Sequence, residues 1–113
     1  MTGRTLRGWC ALATILVATA ADARTGRCVL QVNGRSYLNG PCDISTIDRD
    51  GSFSIGTGKH RAKYFAYVTM DTDGAEGFWN ETPDASHAHS SLGMLHRAGA
   101  CWVNSTAKVC AYR

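Results

Sequence analysis

The sequence has no long hydrophobic run. Its longest apolar stretch covers about 12 residues, from Trp9 to Ala20, whereas a membrane-spanning helix needs roughly 20. Arg4 and Arg7 precede this stretch, and no acidic residue occurs before Asp22. A short basic start followed by an apolar segment of this length is typical of a secretory signal peptide. We therefore expect no membrane span in the mature chain.

The residues after the apolar stretch predict where the signal is cut. Ala21-Asp22-Ala23 places small residues at the two positions that a signal peptidase reads, which predicts cleavage after Ala23. Cleavage after Ala20 is the alternative. Residues 1–23 are thus predicted to be a signal peptide, and residues 24–113 to form a single domain in the periplasm or outside the cell.

The mature chain also lacks a strong charge of either sign. It keeps 10 of the 12 lysines and arginines and 8 of the 9 acidic residues, so its formal charge is about +2. Nucleic-acid-binding domains usually have a clustered basic face. The one local cluster here, Lys59-His60-Arg61-Ala62-Lys63, we interpret as the solvated end of a strand. We expect no nucleic-acid partner.

The cysteines lack the C-x-x-C spacing of redox and zinc motifs. Cys10 is removed with the signal peptide. An even number of cysteines in a short exported chain predicts a disulfide framework, for which four cysteines allow three connectivities. The four that remain are Cys28, Cys42, Cys101 and Cys110.

Local turns favour one of the three connectivities. Asn33-Gly34 is a strong two-residue hairpin signal, and Cys28 and Cys42 lie just outside that hairpin. A second turn at Ser105-Thr106 places Cys101 directly opposite Cys110. Opposed strand residues have Cα atoms about 4.5–5.5 Å apart, which a disulfide tolerates. The sequence therefore predicts the pairs Cys28–Cys42 and Cys101–Cys110.

Short β-rich runs alternate with turn signals along the whole mature chain. Ser52–Ile55 alternates polar and apolar residues, and Tyr64–Thr69 is aromatic and β-branched on both faces, which predicts a central buried strand. Asp84–Ser91 is the one segment that offers room for a helical turn. The fold class is therefore predicted to be all-β, a small antiparallel meander of about seven short strands. It closes as a barrel or a sandwich, and the spacing does not separate the two.

No nucleophile motif is present. Ser86, Ser90 and Ser91 flank two histidines and lie close to Asp84, but catalytic triads recruit their members from separate elements. There is also no Gly-x-Ser-x-Gly elbow. We therefore predict no catalytic residue, and a small hydrolase is the least favoured of three functional alternatives.

Two histidines in an extended segment suggest a metal site. His87 and His89, at positions i and i+2, point to the same side of an extended chain, and His96 is the natural third ligand. Zinc or copper would suit imidazole ligands. The alternative is a loop whose histidines face solvent or bond to the backbone, with no cofactor.

The same loop gives the favoured hypothesis. Trp79, Asn80 and Glu81 lead into His87 and His89 and would form one patch, with Trp79 at its rim. Binding residues are common on loops that a rigid scaffold supports. We therefore predict a non-catalytic binding domain whose partner is an envelope or extracellular protein or a glycan.

Overall fold

The protein, seen in a computed structural model that describes residues 23–113, contains eight strands and no helix in that range. The predicted signal peptide lies outside the described residues apart from Ala23, where the first strand begins. The strands are β1 Ala23–Val32, β2 Arg35–Thr46, β3 Phe53–Ile55, β4 Ala66–Asp71, β5 Gly74–Trp79, β6 Ser90–Ala98, β7 Cys101–Val103 and β8 Ala107–Tyr112.

The strands form a closed antiparallel barrel. Each strand pairs with the next along the chain, and β8 returns to pair with β1 from Arg27↔Tyr112 to Val32↔Ala107. The strand content of the described residues confirms the all-β fold class. The pairing of β8 with β1 shows that the fold is a barrel and not a sandwich. Closure also satisfies the hydrogen-bonding groups that an open sheet would leave unpaired at its edges.

Both predicted disulfides are present. Asn33 and Gly34 have φ values of 53° and 78° and form the tight turn between β1 and β2. Cys28 of β1 is bonded to Cys42 of β2. In the last hairpin, Cys101 lies directly opposite Cys110 and is bonded to it. The two pairings were predictable because each depends on a turn close in sequence.

The core consists of side chains that alternate inward along the strands. Leu30, Ile44, Ile55, Val68 and Val109 are almost completely buried. Their neighbours on either side along each strand point out of the barrel, as the two-residue period of a strand requires. An eight-stranded barrel is just wide enough for such side chains to fill it.

Two local expectations differ from the structure. Tyr64 and Phe65 precede β4 rather than belonging to a central strand, because a closed barrel has no centre and each strand has an inner and an outer face. The segment 84–89 has no helix. It is an irregular loop with one turn, in which the Ala85 N–H donates to the carbonyl of Thr82 at 3.0 Å.

The up-and-down order divides the connections between two ends of the barrel. We call the end formed by segments 33–34, 56–65, 80–89 and 104–106 the loop end. We call the other end, with segments 47–52, 72–73 and 99–100 and with Arg113, the mouth.

Candidate functional site

The loop end has the two longest connections in the described part of the chain. Segments 56–65 and 80–89 have ten residues each, whereas hairpin loops usually have two to five. The other connections in that part have two to six residues. Long loops on a rigid scaffold are common sites of binding, so these two segments are candidates for a functional surface.

Asn80 joins the two loops from inside. Its side chain is 1% exposed. The amide oxygen accepts a hydrogen bond from the Phe65 N–H at 2.7 Å, and the amide nitrogen donates to the Lys63 carbonyl at 3.0 Å. The backbone N–H of Asn80 also donates to the Phe65 carbonyl, at 3.4 Å. These bonds cross from one loop to the other and fix their relative position.

Arg61 adds a second connection on the outside. Its Nη2 donates to the Ala85 carbonyl at 3.0 Å, and its guanidinium carbon lies 4.4 Å from the centre of the Phe65 ring. A guanidinium over an aromatic face at this distance is a favourable cation–π contact. Arg61 therefore connects segment 56–65, which we call the basic loop, to segment 80–89, which we call the histidine loop.

His60 attaches the first loop to the barrel wall. The His60 N–H donates to Oδ2 of Asp43 at 3.1 Å, and His60 Nδ1 lies 3.4 Å from the same oxygen. The Asp43 side chain is buried beneath the loop, while the imidazole is 77% exposed. The Gly56 N–H donates to the Asp43 carbonyl as well. One residue of β2 thus holds both the start and the middle of the loop.

Trp79 lies in the interior and not at a rim. It is 4% exposed, and its ring packs edge-on against Tyr37 with centroids 4.6 Å apart and beside Tyr64 at 6.0 Å. Burying rings of this size contributes strongly to a small core. Trp79 and Asn80 therefore lie beneath the loops, and their exposed neighbours form the surface.

Glu81, His87 and His89 are the members of the predicted patch that lie on the surface. The rings of His87 and His89 are 5.6 Å apart in an edge-to-face arrangement. Oε1 of Glu81 accepts a hydrogen bond from the Ser90 hydroxyl at 3.3 Å. The structure thus brings the two histidines together at the end of a loop whose start carries Glu81.

A shallow cavity of about 320 Å³ lies between His87 and the outer wall of the barrel. Its wall includes Tyr67 and Phe78, which are paired on β4 and β5 and point outward. Ser86 and Ala88 complete the loop side. The cavity therefore has two outward-facing aromatic rings on one side and segment 86–88 on the other.

His96 lies apart from the other two histidines. It is exposed on β6, opposite Val103, and lies seven positions after His89. An extended strand rises about 3.3 Å per residue, so this separation is roughly 20 Å. Within residues 23–113, no group of three or more His, Cys, Asp or Glu side chains converges on one point.

The loop end carries more positive than negative charge on its surface. Its exposed acids are Glu81 and Asp84. Its exposed cations are Lys59, Arg61 and Lys63. The basic cluster was predicted to end a strand, but it lies in the loop that faces the histidines. Its four basic residues within five positions were the signal that pointed to this surface.

Two of the serines near the histidines form hydrogen bonds with carboxylates. The hydroxyl of Ser90 donates to Glu81, and that of Ser91 donates to Oε2 of Glu76 at 3.4 Å. The expectation that the chain has no catalytic residue stays a prediction.

Comparison of the chain with protein families, curated proteins and solved structures found no match. Within residues 23–113 there is also no helix that is long and apolar enough to cross a membrane.

Proposed function

We propose that this protein is a small exported, non-catalytic binding domain that contacts its partner through the loop end. One observation carries the proposal: two ten-residue loops are fixed to each other by the Asn80 and Arg61 hydrogen bonds. A surface that is ordered before binding loses less conformational entropy when the partner arrives.

The charge of the loop end favours an acidic partner surface. Lys59, Arg61 and Lys63 lie on one loop and His87 and His89 on the facing loop, and all five are exposed. Complementary charge accelerates encounter and selects against basic partners. The class of partner that fits is an envelope or extracellular protein with an acidic patch, or an acidic glycan.

Export to the periplasm or the extracellular space fits the two disulfides. Disulfide bonds persist in oxidising compartments and are rare in the cytosol. The N-terminal sequence supports the same proposal, since residues 1–23 have the basic, apolar and small-residue regions of a signal peptide.

The experiment is a cross-linking capture from envelope and extracellular extracts at low salt. The wild type is compared with Lys59→Glu/Lys63→Glu, which reverses two charges at the loop end. The matched control is Arg27→Glu/Lys108→Glu, which reverses two charges on the barrel wall, where both side chains are exposed. We expect the captured partner to be lost with the first variant and retained with the second.

The salt dependence of the capture and the comparison of partner profiles test the proposal further. Rising salt should weaken the capture, because exposed charges are screened beyond roughly 10 Å at 0.1 M ionic strength. Identical partner profiles for the wild type and the loop-end variant would count against the proposal.

A metal-binding function is the second candidate, supported by the 5.6 Å separation of the His87 and His89 rings. Two imidazoles at this spacing provide half of a tetrahedral zinc site, and copper takes imidazole as well. Metal analysis of protein purified without a His tag tests it. Sub-stoichiometric zinc and copper, together with no thermal shift when either is added, would reject this candidate.

A further inference from the structure

The mouth of the barrel contains a cavity of about 630 Å³. Small-molecule sites usually have volumes of about 300–1,000 Å³ and a mostly apolar lining with a few placed polar groups. This cavity lies at the opposite end of the barrel from the loop end, and it shares no lining residue with segments 56–65 and 80–89.

The floor of the cavity is apolar. Phe53 belongs to the buried core, and Met70, Trp102 and Ala111 pack against that core while remaining partly exposed. Trp102 lies directly opposite the fully buried Val109, so its side chain is on the inner face of the barrel. The barrel therefore leaves an indole, a thioether and a phenyl ring accessible from its open end.

Three arginines surround this floor. Arg49, Arg97 and Arg113 line the same cavity and are exposed. Arg97 is paired with Trp102 across β6 and β7, and its guanidinium carbon is 6.0 Å from the indole centroid. Its Nε donates to the Gly99 carbonyl at 3.0 Å, which fixes the guanidinium at the rim.

These arginines have no carboxylate partner in the described part of the chain. Among residues 23–113, the one basic side chain within 4.0 Å of a carboxylate oxygen is His60, whose Nδ1 lies 3.4 Å from Oδ2 of Asp43 at the other end of the barrel. Asp48 and Asp50 also line the cavity, but their carboxylates accept hydrogen bonds from backbone N–H groups of their own loop, at 2.7 Å from Arg49 and 2.9 Å from Ser52.

Asp48 and Asp50 place negative charge on one side of the cavity. Both belong to segment 47–52, which has one arginine, Arg49, and therefore a net negative charge. An anion is favoured on the opposite side, where Arg97 of β6 and Arg113 beyond β8 line the cavity. Guanidinium groups form strong charge-assisted hydrogen bonds with carboxylates and related oxyanions. The apolar floor provides contact for a hydrocarbon or aromatic body.

From this combination we infer that the mouth binds a small amphipathic organic anion. Its acidic group pairs with Arg97 and Arg113, and its apolar body packs against Phe53, Met70 and Trp102. The site is independent of the loop end, so each of the two proposals can fail without the other.

Fluorescence titration with anilinonaphthalene sulfonate tests the site, using the oxidised protein without its predicted signal peptide (residues 24–113). We expect one saturable site per molecule. Arg97→Gln/Arg113→Gln should weaken it at least about tenfold, since hydrogen bonds to charged groups contribute on this scale. The matched control Lys59→Gln/Lys63→Gln removes two positive charges at the loop end and should leave the affinity unchanged. Equal weakening in both variants would show unspecific attraction and overturn the proposal.

Displacement distinguishes the chemistry of the ligand. Decanoate should displace the probe and decanol should not, because the alcohol has the apolar body without the charge. Equal displacement by both would overturn the role of the arginines. Absence of saturable probe binding would overturn the site itself.

A measurement on the wild type keeps the test valid even where a variant does not fold. In a nitrogen–proton NMR spectrum, decanoate should shift the indole N–H signal of Trp102 and leave that of the buried Trp79 in place. The reverse pattern, or no shift in either, contradicts binding at the mouth.

Discussion

Asn80 is the residue whose environment bears most directly on the proposed binding surface. Replacement by alanine leaves the Phe65 N–H and the Lys63 carbonyl without their partners in a buried place. An unsatisfied buried polar group costs about 1–3 kcal/mol. We expect Asn80→Ala to lower the free energy of unfolding by that amount and to accelerate hydrogen exchange at the Phe65 amide.

The exposed Asn39 supplies the matched control. Its amide oxygen accepts a hydrogen bond from Arg27 on the surface, at 2.7 Å. Surface substitutions usually change stability by about 0.5 kcal/mol or less, so Asn39→Ala should unfold almost as the wild type does. Urea unfolding measures both variants, and equal losses would contradict the structural role of Asn80.

Asp50 gives a prediction on pH. Hydrogen bonds from the Ser52 side chain and backbone lower the pKa of Asp50 below its usual value. A carboxyl with a lowered folded-state pKa stabilises the protein above its unfolded-state pKa, and this contribution is lost as the pH falls through the folded value. We therefore expect the stability difference between the wild type and Asp50→Asn to shrink as the solution becomes more acidic.

Carboxyl NMR measures the same property directly. The Asp50 side chain should titrate below about 3.9, the ordinary value for aspartate. Replacing Ser52 with alanine removes the side-chain donor and should raise the pKa of Asp50. A wild-type pKa at or above the ordinary value would contradict the hydrogen bonds that the structure shows.

At the scale of elements, Gly56 determines how the first long loop leaves β3. Its φ is +76°, and an added Cβ would lie 2.8 Å from the Tyr64 carbonyl oxygen. Gly34 has a similar φ of +78°, but an added Cβ there meets nothing within 4 Å. The two glycines thus share the backbone requirement and differ in the space around them.

Alanine substitutions at Gly34 and Gly56 distinguish the cost of the left-handed backbone from the cost of the missing space. Gly34→Ala should cost about 1–2 kcal/mol, the penalty of a left-handed conformation for an L-residue. Gly56→Ala adds a contact with backbone that cannot rotate away, and overpacking of this kind costs a further 1–3 kcal/mol or so. Chemical unfolding of both variants tests the order, and a larger loss for Gly34→Ala would contradict it.

Elements were predictable where their determinants are close in sequence. The Asn33-Gly34 hairpin and the opposition of Cys101 to Cys110 depend on turns of two or three residues. The pairing of β1 with β8 joins positions about 75 residues apart, such as Val32 and Ala107, and no local pattern encodes it.

The candidate site was predictable in position but not in detail. The exposed histidines were evident from the His-x-His spacing. The burial of Asn80 was not, because an asparagine after a strand usually favours a surface turn, and its partners Lys63 and Phe65 lie 17 and 15 residues away.

The whole molecule divides its charge between its two ends. Segments 47–52 and 72–73, together with the end of β4, contribute four aspartates to the mouth, where three arginines also lie. The loop end carries two of the three lysines, Lys59 and Lys63, and three of the four histidines, His60, His87 and His89. A near-neutral domain can thus present surfaces of different character, which net charge alone does not reveal.

The stability of the whole barrel should depend on its disulfides, because a domain of this size buries only a modest core. Cys28–Cys42 and Cys101–Cys110 span sequence separations of 14 and 9 residues. Restricting the unfolded chain over such loops stabilises the folded state by about 3 kcal/mol for the longer one and slightly less for the shorter. Reduction of both bonds should therefore remove much of the 5–15 kcal/mol or so that folded domains usually have.

Urea unfolding with and without reductant measures this loss. Removing the pairs one at a time, as Cys28→Ala/Cys42→Ala and Cys101→Ala/Cys110→Ala, should show that each contributes and that the first contributes slightly more, since it closes the longer loop. An unchanged unfolding midpoint after full reduction would contradict the argument, because the barrel would then be held by its strands alone. That result would also weaken the support that the disulfides give to the proposed export.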